Sequence, residues 1–164
     1  MYSEARKINV AIIEDNIELN DAIKDYFLSL GRFNITAVAY NGTDGLAAIR
    51  ENTIDVVMLD IVLPGLDGIN ILEEFENVKG PKRPSFIMFT AVSAESLTKR
   101  AIELGADYFV LKPFDLELLA KRVEQVYEYR NNKLATFKST DVASAGMANE
   151  PPVVFAANIL RKAG

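Results

Sequence analysis

The 164-residue chain contains no cysteine and no histidine. Without thiols there are no disulfides and no thiolate metal sites; without imidazoles there are no histidine metal ligands, no Ser-His-Asp triad and no phosphohistidine of the chain's own. Any metal must be held by oxygen, which points toward magnesium or calcium. Long apolar runs are missing too. Nothing approaches the roughly eighteen residues needed to cross a bilayer, and the N-terminal "MYSEARKINV" lacks the apolar core of a signal peptide. The expectation is a cytoplasmic protein with no membrane partner. Positive charge is also short: 18 Lys and Arg against 23 Asp and Glu leave a net charge of -5. Gripping nucleic acid needs clustered Lys and Arg, so this segment is not expected to bind it, and "KGPKRP" at 79–84 reads as a solvated loop.

What is present is a core. Apolar residues make up 49% and charged ones 25%, which fits one compact domain plus a tail. "INVAII", "ITAVAY", "DVVMLD", "SFIMFT" and "DYFVL" read as buried strands rich in β-branched and aromatic residues. After the first, Leu19, Ala22, Ile23, Tyr26, Phe27 and Leu30 recur at helical spacing, with Asn16 as N-cap and Gly31 as stop. Similar patterns predict helices near 43–51, 67–78, 94–104 and 115–130, the last with Leu116, Leu119, Val123 and Val126 on one face behind Asp115 as cap. Five strands alternating with helices imply a doubly wound α/β fold, a parallel sheet covered on both faces. The domain is expected over 1–130 and a flexible linker over 131–152. The linker closes on Pro151 and Pro152, and residues 153–164, "VVFAANILRKAG", are too short to form a core alone and read as a docked tail or the truncated start of an effector domain.

In such sheets ligands bind beyond the carboxyl ends of the strands, where the strand order reverses. Those ends carry Glu14 and Asp15 after strand one, Asp60 on strand three, Thr90 on strand four and Lys112 after strand five. With strand order 2-1-3-4-5, strands one and three are neighbours and the three acids crowd together. Their mutual repulsion calls for a hard divalent cation, and magnesium, which keeps several waters and takes one or two carboxylates, leaves Asp60 free to act as a nucleophile. Singly, each residue has an ordinary reading: a strand-end Asp or Thr caps a turn, and a Lys pairs with an acid. Acid-acid, acid, hydroxyl and lysine on one rim, in this order, point to a site. Asp67, in an Asp-Gly pair, reads as a turn or helix cap.

The signatures "IIEDN", "LDIVLPGLDG", "FTA" and "GADYFVLKPFD" resemble those of bacterial two-component response-regulator receiver domains over about residues 8 to 130. The last two, with "VAYNG" at 38–42, further resemble the sporulation master regulators of endospore-forming bacteria. The resemblance implies a flavodoxin-like (βα)5 fold and a non-enzymatic phosphoacceptor. Asp60 would take a phosphoryl group from a phosphohistidine on a histidine kinase or histidine phosphotransfer protein. Magnesium, replaceable by manganese or calcium, would sit on Glu14, Asp15, Asp60 and the backbone carbonyl of Val62. Lys112 and Thr90 would hold phosphoryl oxygens, with the small Ala91 leaving the pocket open. Thr90 and Phe109, three residues before Lys112, would form the switch, and Lys112-Pro113 is a candidate cis peptide. The positions two after the acceptor and two after the threonine, Val62 and Val92, are aliphatic, which implies slow self-dephosphorylation. Output would be transcriptional, through a missing DNA-binding domain, with homodimerisation on phosphorylation as an option; the alternative is a stand-alone phosphorelay receiver.

Readings from other classes fit less well. A magnesium-dependent phosphatase of the haloacid-dehalogenase type also uses an Asp nucleophile, but needs a second acid where Val62 stands. A flavin carrier needs a phosphate-cradling loop after strand one, where "EDN" would repel phosphate. A binding module without phosphorylation would lack one of Asp60, Thr90 or Lys112.

Overall fold

In the computed structural model, residues 5–91 and 95–136 are described, with side chains to 132. Five strands alternate with five helices: β1 (Ile8–Ile13), α1 (Ile17–Ser29), β2 (Phe33–Ala39), α2 (Gly42–Glu51), β3 (Val56–Asp60), α3 (Gly68–Glu74), β4 (Ser85–Thr90), α4 (Glu95–Glu103), β5 (Tyr108–Leu111) and α5 (Leu116–Thr136). A short 3-10 turn at Gly80–Lys82 precedes β4. All pairings are parallel, in the order β2-β1-β3-β4-β5. This is the doubly wound, flavodoxin-like arrangement, and it puts β1 beside β3 at the reversal of strand order.

The period of two in the strands divides the core between the two faces. Ala11 and Ile13, Val57 and Leu59, Phe86 and Met88 pack with Ile49 of α2, Ile71 and Leu72 of α3 and Ala101 of α4. Val10 and Ile12, Val56 and Met58, Ile87 and Phe89 pack with Ile23 and Phe27 of α1 and Leu119, Val123 and Val126 of α5. The three central strands are therefore apolar at nearly every position, as a sheet covered on both sides requires.

Short polar side chains start the helices. Asn16, Asn41 and Asp67 accept from the backbone N–H groups of Leu19, Asp44 and Asn70 at 3.0, 2.9 and 2.8 Å. Asp115 accepts from Leu118 N at 3.0 Å. Each satisfies a donor that the helix itself cannot. Gly31, at φ +72°, lets the chain leave α1, a conformation costly for any residue with a β-carbon.

Several details depart from the sequence reading. Helix α3 ends at Glu74 rather than 78, because Phe75 and Glu76 bond three residues back, to Leu72 and Glu73, and so tighten the chain into a turn. Helix α5 runs past 130 to Thr136, six residues into the stretch read as linker. Asn131 and Asn132 cost a helix only tenths of a kcal/mol each, roughly 0.7 at most, and neither Gly nor Pro intervenes. Arg130 anchors that end, donating to Ser85 Oγ at 3.3 Å and to the Gly80 carbonyl at 2.6 Å. On α1, Ala22 is exposed and Asn20 is buried in its stead. Within "KGPKRP", Arg83 is not simply solvated: its guanidinium donates to the carbonyls of Phe75, Leu104 and Gly105. The expected tail at 153–164, and residues 137–152 of the expected linker, lie outside the described residues.

Candidate functional site

Glu14 and Asp15 follow β1, Asp60 ends β3, and all three carboxylates offer an oxygen within 4.8 Å of one another. Lys112, one residue beyond β5, lies among them. Its Nζ donates to Glu14 Oε2 at 2.6 Å and to Asp60 Oδ2 at 2.5 Å. Glu14 is fully buried and Asp60 nearly so, whereas Asp15 is exposed at the mouth. The Lys112 ammonium also lies 6.0 Å from the ring centre of Phe89, which stacks obliquely on Phe114 at 4.9 Å. The Lys112–Pro113 peptide bond is cis.

Burial dominates the electrostatics. It pushes the Glu14 carboxyl from an ordinary 4.5 up to about 7, even though bonds from Lys112 and the Asn16 N–H oppose the shift; the neighbouring Asp60 adds to it. For Lys112 burial acts the other way, favouring the neutral amine, but the bonds to Asp60 and Glu14 prevail and hold the ammonium above its usual value. Three carboxylates and one ammonium leave a formal charge of 1 − 3 = −2 when all are ionised. An all-oxygen donor set carrying that charge suits one hard divalent cation.

Asp60 is held from several sides. Its Oδ1 accepts from Val62 N at 3.0 Å, and Ile61 N donates to the Phe89 carbonyl of β4 at 3.2 Å. Beyond it the loop 61–67 is pinned by two glycines. Gly42 N donates to Pro64 O at 3.3 Å and Gly68 N to Ile61 O at 2.8 Å. A β-carbon on Gly42 would fall 1.5 Å from Leu66 O, and one on Gly68 would fall 2.3 Å from Asp60 O. Neither backbone could sit there with a side chain. Val62 points outward, 65% exposed.

Of the other named residues, Thr90 and Ala91 stand at the end of β4 with different contacts. Thr90 ends β4 and is buried, and its Oγ1 lies 3.2 Å from both the Ala91 carbonyl and the Thr98 hydroxyl of α4. Ala91 is exposed. Phe109 is buried among Met88, Ala101, Leu104 and Ala106, on the α4 side of the sheet. Val92 lies outside the described residues.

The sequence reading missed three residues. Asn20 sits fully buried on α1, and its Nδ2 donates to the carbonyls of Glu14 at 3.0 Å and Ala39 at 3.2 Å, tying the ends of β1 and β2. Its signal was legible, since Asn20, Ile23 and Phe27 fall at i, i+3 and i+7. Gly68 could have been found in the Asp-Gly pair. Thr98 carries no sequence signal beyond helical spacing from Ala101.

The fold and this rim define the class: a doubly wound α/β domain with an acidic, lysine-bridged pocket at its strand ends. Residues 10–124 match the family described as response regulator receiver domain. The chain belongs to that family. Among solved structures, it is similar to the Francisella response regulator 1452 receiver domain, at 27% identity and TM-score 0.65, covering 74% of this chain and 98% of that one. A chain of the CheX-CheY-BeF3-Mg complex from Borrelia burgdorferi is 31% identical, with TM-score 0.66 and coverage of 74% of this chain and 90% of that one. A LuxR-family DNA-binding response regulator from Staphylococcus aureus is 28% identical, with TM-score 0.68 and coverage of 73% and 98%.

Proposed function

We propose that the chain is a phosphorylation-controlled switch in which Asp60 is the phosphoacceptor. The observation that carries this reading is the bridge from Lys112 Nζ to Asp60 Oδ2 at 2.5 Å and Glu14 Oε2 at 2.6 Å, inside a trio of acids. The bridge puts a fixed cation beside a carboxylate that is rigidly held at the end of an apolar strand. Glu14, Asp15, Asp60 and the Val62 carbonyl would hold a magnesium ion, with manganese or calcium able to take its place. When bound, the ion supplies positive charge opposite the phosphoryl oxygens.

The chain's own residues do the rest. An Asp60 carboxylate oxygen attacks phosphorus, an O–P bond forms, and the N–P bond of a phosphohistidine on a histidine kinase or phosphotransfer protein breaks, returning the electron pair to the imidazole. Lys112 shifts from the acids onto a phosphoryl oxygen, and Thr90 donates its hydroxyl to another. Phe109, which has no polar atom to satisfy, follows Thr90 within the core and shifts the balance between two states of the α4-β5 surface. The Borrelia protein, solved with BeF3 and Mg, supports the metal and phosphoryl reading. The Staphylococcus aureus DNA-binding regulator supports a transcriptional output. The sporulation reading rests on the wording of "VAYNG", "FTA" and "GADYFVLKPFD".

The test is to incubate the protein with magnesium and a small phosphodonor and weigh it intact. One hydroxylamine-labile phosphate is expected; its persistence in Asp60→Asn would overturn the assignment.

A further inference from the structure

Thr90 and Thr98 are both buried, at 8% and 5% exposure, and their hydroxyl oxygens lie 3.2 Å apart across the packing of β4 on α4. Helix α4 is otherwise thinly anchored. Thr98 and Ala101 are its only buried residues among those described, Leu97 is 37% exposed, and its cross-helix ion pair, Arg100 with Glu73 at 3.3 Å, is solvent-exposed. An exposed pair of that kind contributes little. A buried hydroxyl pair contributes more, because its hydrogen bond is shielded from competition by water.

We propose that Thr98 is a positioning residue of the switch: its hydroxyl holds that of Thr90 on the α4 side, and phosphorylation of Asp60 frees α4 by breaking this bond. The inference rests on the reading of Asp60 and Thr90 given above and adds to it the residue that sets the resistance to switching. With the Thr90 hydroxyl lying against α4, donation to a phosphoryl oxygen requires the side chain to turn away from Thr98. The pair then separates, and α4 loses this tie to β4 in the same motion. Signal and release are one event.

The experiment uses the full chain and titrates beryllium fluoride at saturating magnesium, with amide hydrogen exchange of α4 as second readout. Thr98→Val, which keeps the shape and removes the hydroxyl, is expected to bind beryllium fluoride about 2- to 10-fold more tightly, the range set by the net worth of one hydrogen bond. Thr98→Ser should match the wild type, and magnesium affinity should be the same in all three. Exchange in α4 should quicken on beryllium fluoride binding in the wild type and be quick already in Thr98→Val. In a Thr90→Ala background the valine substitution should change nothing. Thr98→Ala serves if the valine variant does not fold. Equal or weaker binding by both Thr98→Val and Thr98→Ala, or an unchanged gain in the Thr90→Ala background, overturns the proposal. A wild type that ignores beryllium fluoride, or binds it equally well as Asp60→Asn, overturns the phosphoacceptor reading and this inference with it.

Discussion

Gly68 stands so close to Asp60 that a β-carbon on the glycine would fall 2.3 Å from the aspartate's carbonyl oxygen. The start of α3 therefore rests directly on the backbone of Asp60, and the Gly68 N–H, bonded to Ile61 O at 2.8 Å, locks the next residue as well. Gly68→Ala should force the two apart. Overpacking of this kind costs about 1–3 kcal/mol, to be seen as a lower urea midpoint at unchanged m-value, together with slower phosphorylation by a small donor. Wild-type stability in the variant would mean the contact is not made.

Asp67, its neighbour, should behave differently. It caps α3 by accepting from Asn70 N at 2.8 Å and takes no part in the acid cluster. Asp67→Ala is expected to cost about 1 kcal/mol of stability while Asp60 still takes up one phosphate. Loss of phosphorylation without loss of stability would contradict this division of labour.

Lys112 holds two acids at once, so its removal affects metal and phosphoryl chemistry in opposite directions. Lys112→Met should strengthen magnesium binding in isothermal titration, since a competing cation has gone from beside Glu14 and Asp60. Phosphotransfer from a small donor should fall by about 10²-fold or more, the usual effect of deleting one group that stabilises transition-state charge. Parallel losses of both would instead indicate a collapsed site.

The pH dependence follows from Glu14. Its carboxyl keeps a proton in the folded chain up to about pH 7, whereas an ordinary glutamate loses it near 4.5. The folded state thus binds more protons between those values, and the stability of the metal-free protein should fall as pH rises through that window. Magnesium competes with the same proton, so its affinity should climb with pH up to about 7 and level off above. Glu14→Gln should flatten both curves; a wild-type stability that rises across the window would refute the assignment.

Val62 sets an expectation for lifetime. Its aliphatic side chain, 65% exposed beside Asp60, has no atom that could orient an attacking water. Replacing it with Asn supplies one hydrogen-bonding group, and a bond made in the transition state is worth about tenfold in rate. The aspartyl phosphate, followed by intact mass, should decay about that much faster in Val62→Asn.

The fold was legible because its strongest signals are local and periodic. "INVAII" and "SFIMFT" coincide with β1 and β4 to the residue, and the caps at Asn16 and Asp115 fall where short polar side chains precede apolar spacing. Helix ends were less so. Phe75 stops α3 by turning into the core, and Arg130 prolongs α5 by reaching Gly80, contacts between residues far apart in the chain. The site divides in the same way. The charged groups at the strand ends follow from topology, so Glu14, Asp15, Asp60 and Lys112 could be named in advance. Asn20, Gly68 and Thr98 act through what lies across a packing interface, the Glu14 and Ala39 carbonyls, the Asp60 backbone and the Thr90 hydroxyl, and no spacing rule announces such partners.

The anchoring of α5 carries a consequence for how a signal can leave. Arg130 touches Ser85 at the start of β4, and Thr90 stands at its other end. Five residue steps along a strand span about 17 Å, roughly two screening lengths in physiological salt. Thr136 lies six residues further along the helix, about 9 Å more. Across the surface, the field of a phosphoryl group at the Asp60 rim is largely extinguished before it reaches that end. Whatever reads this domain from beyond α5 must respond to displacement of packed atoms and not to the new charge itself.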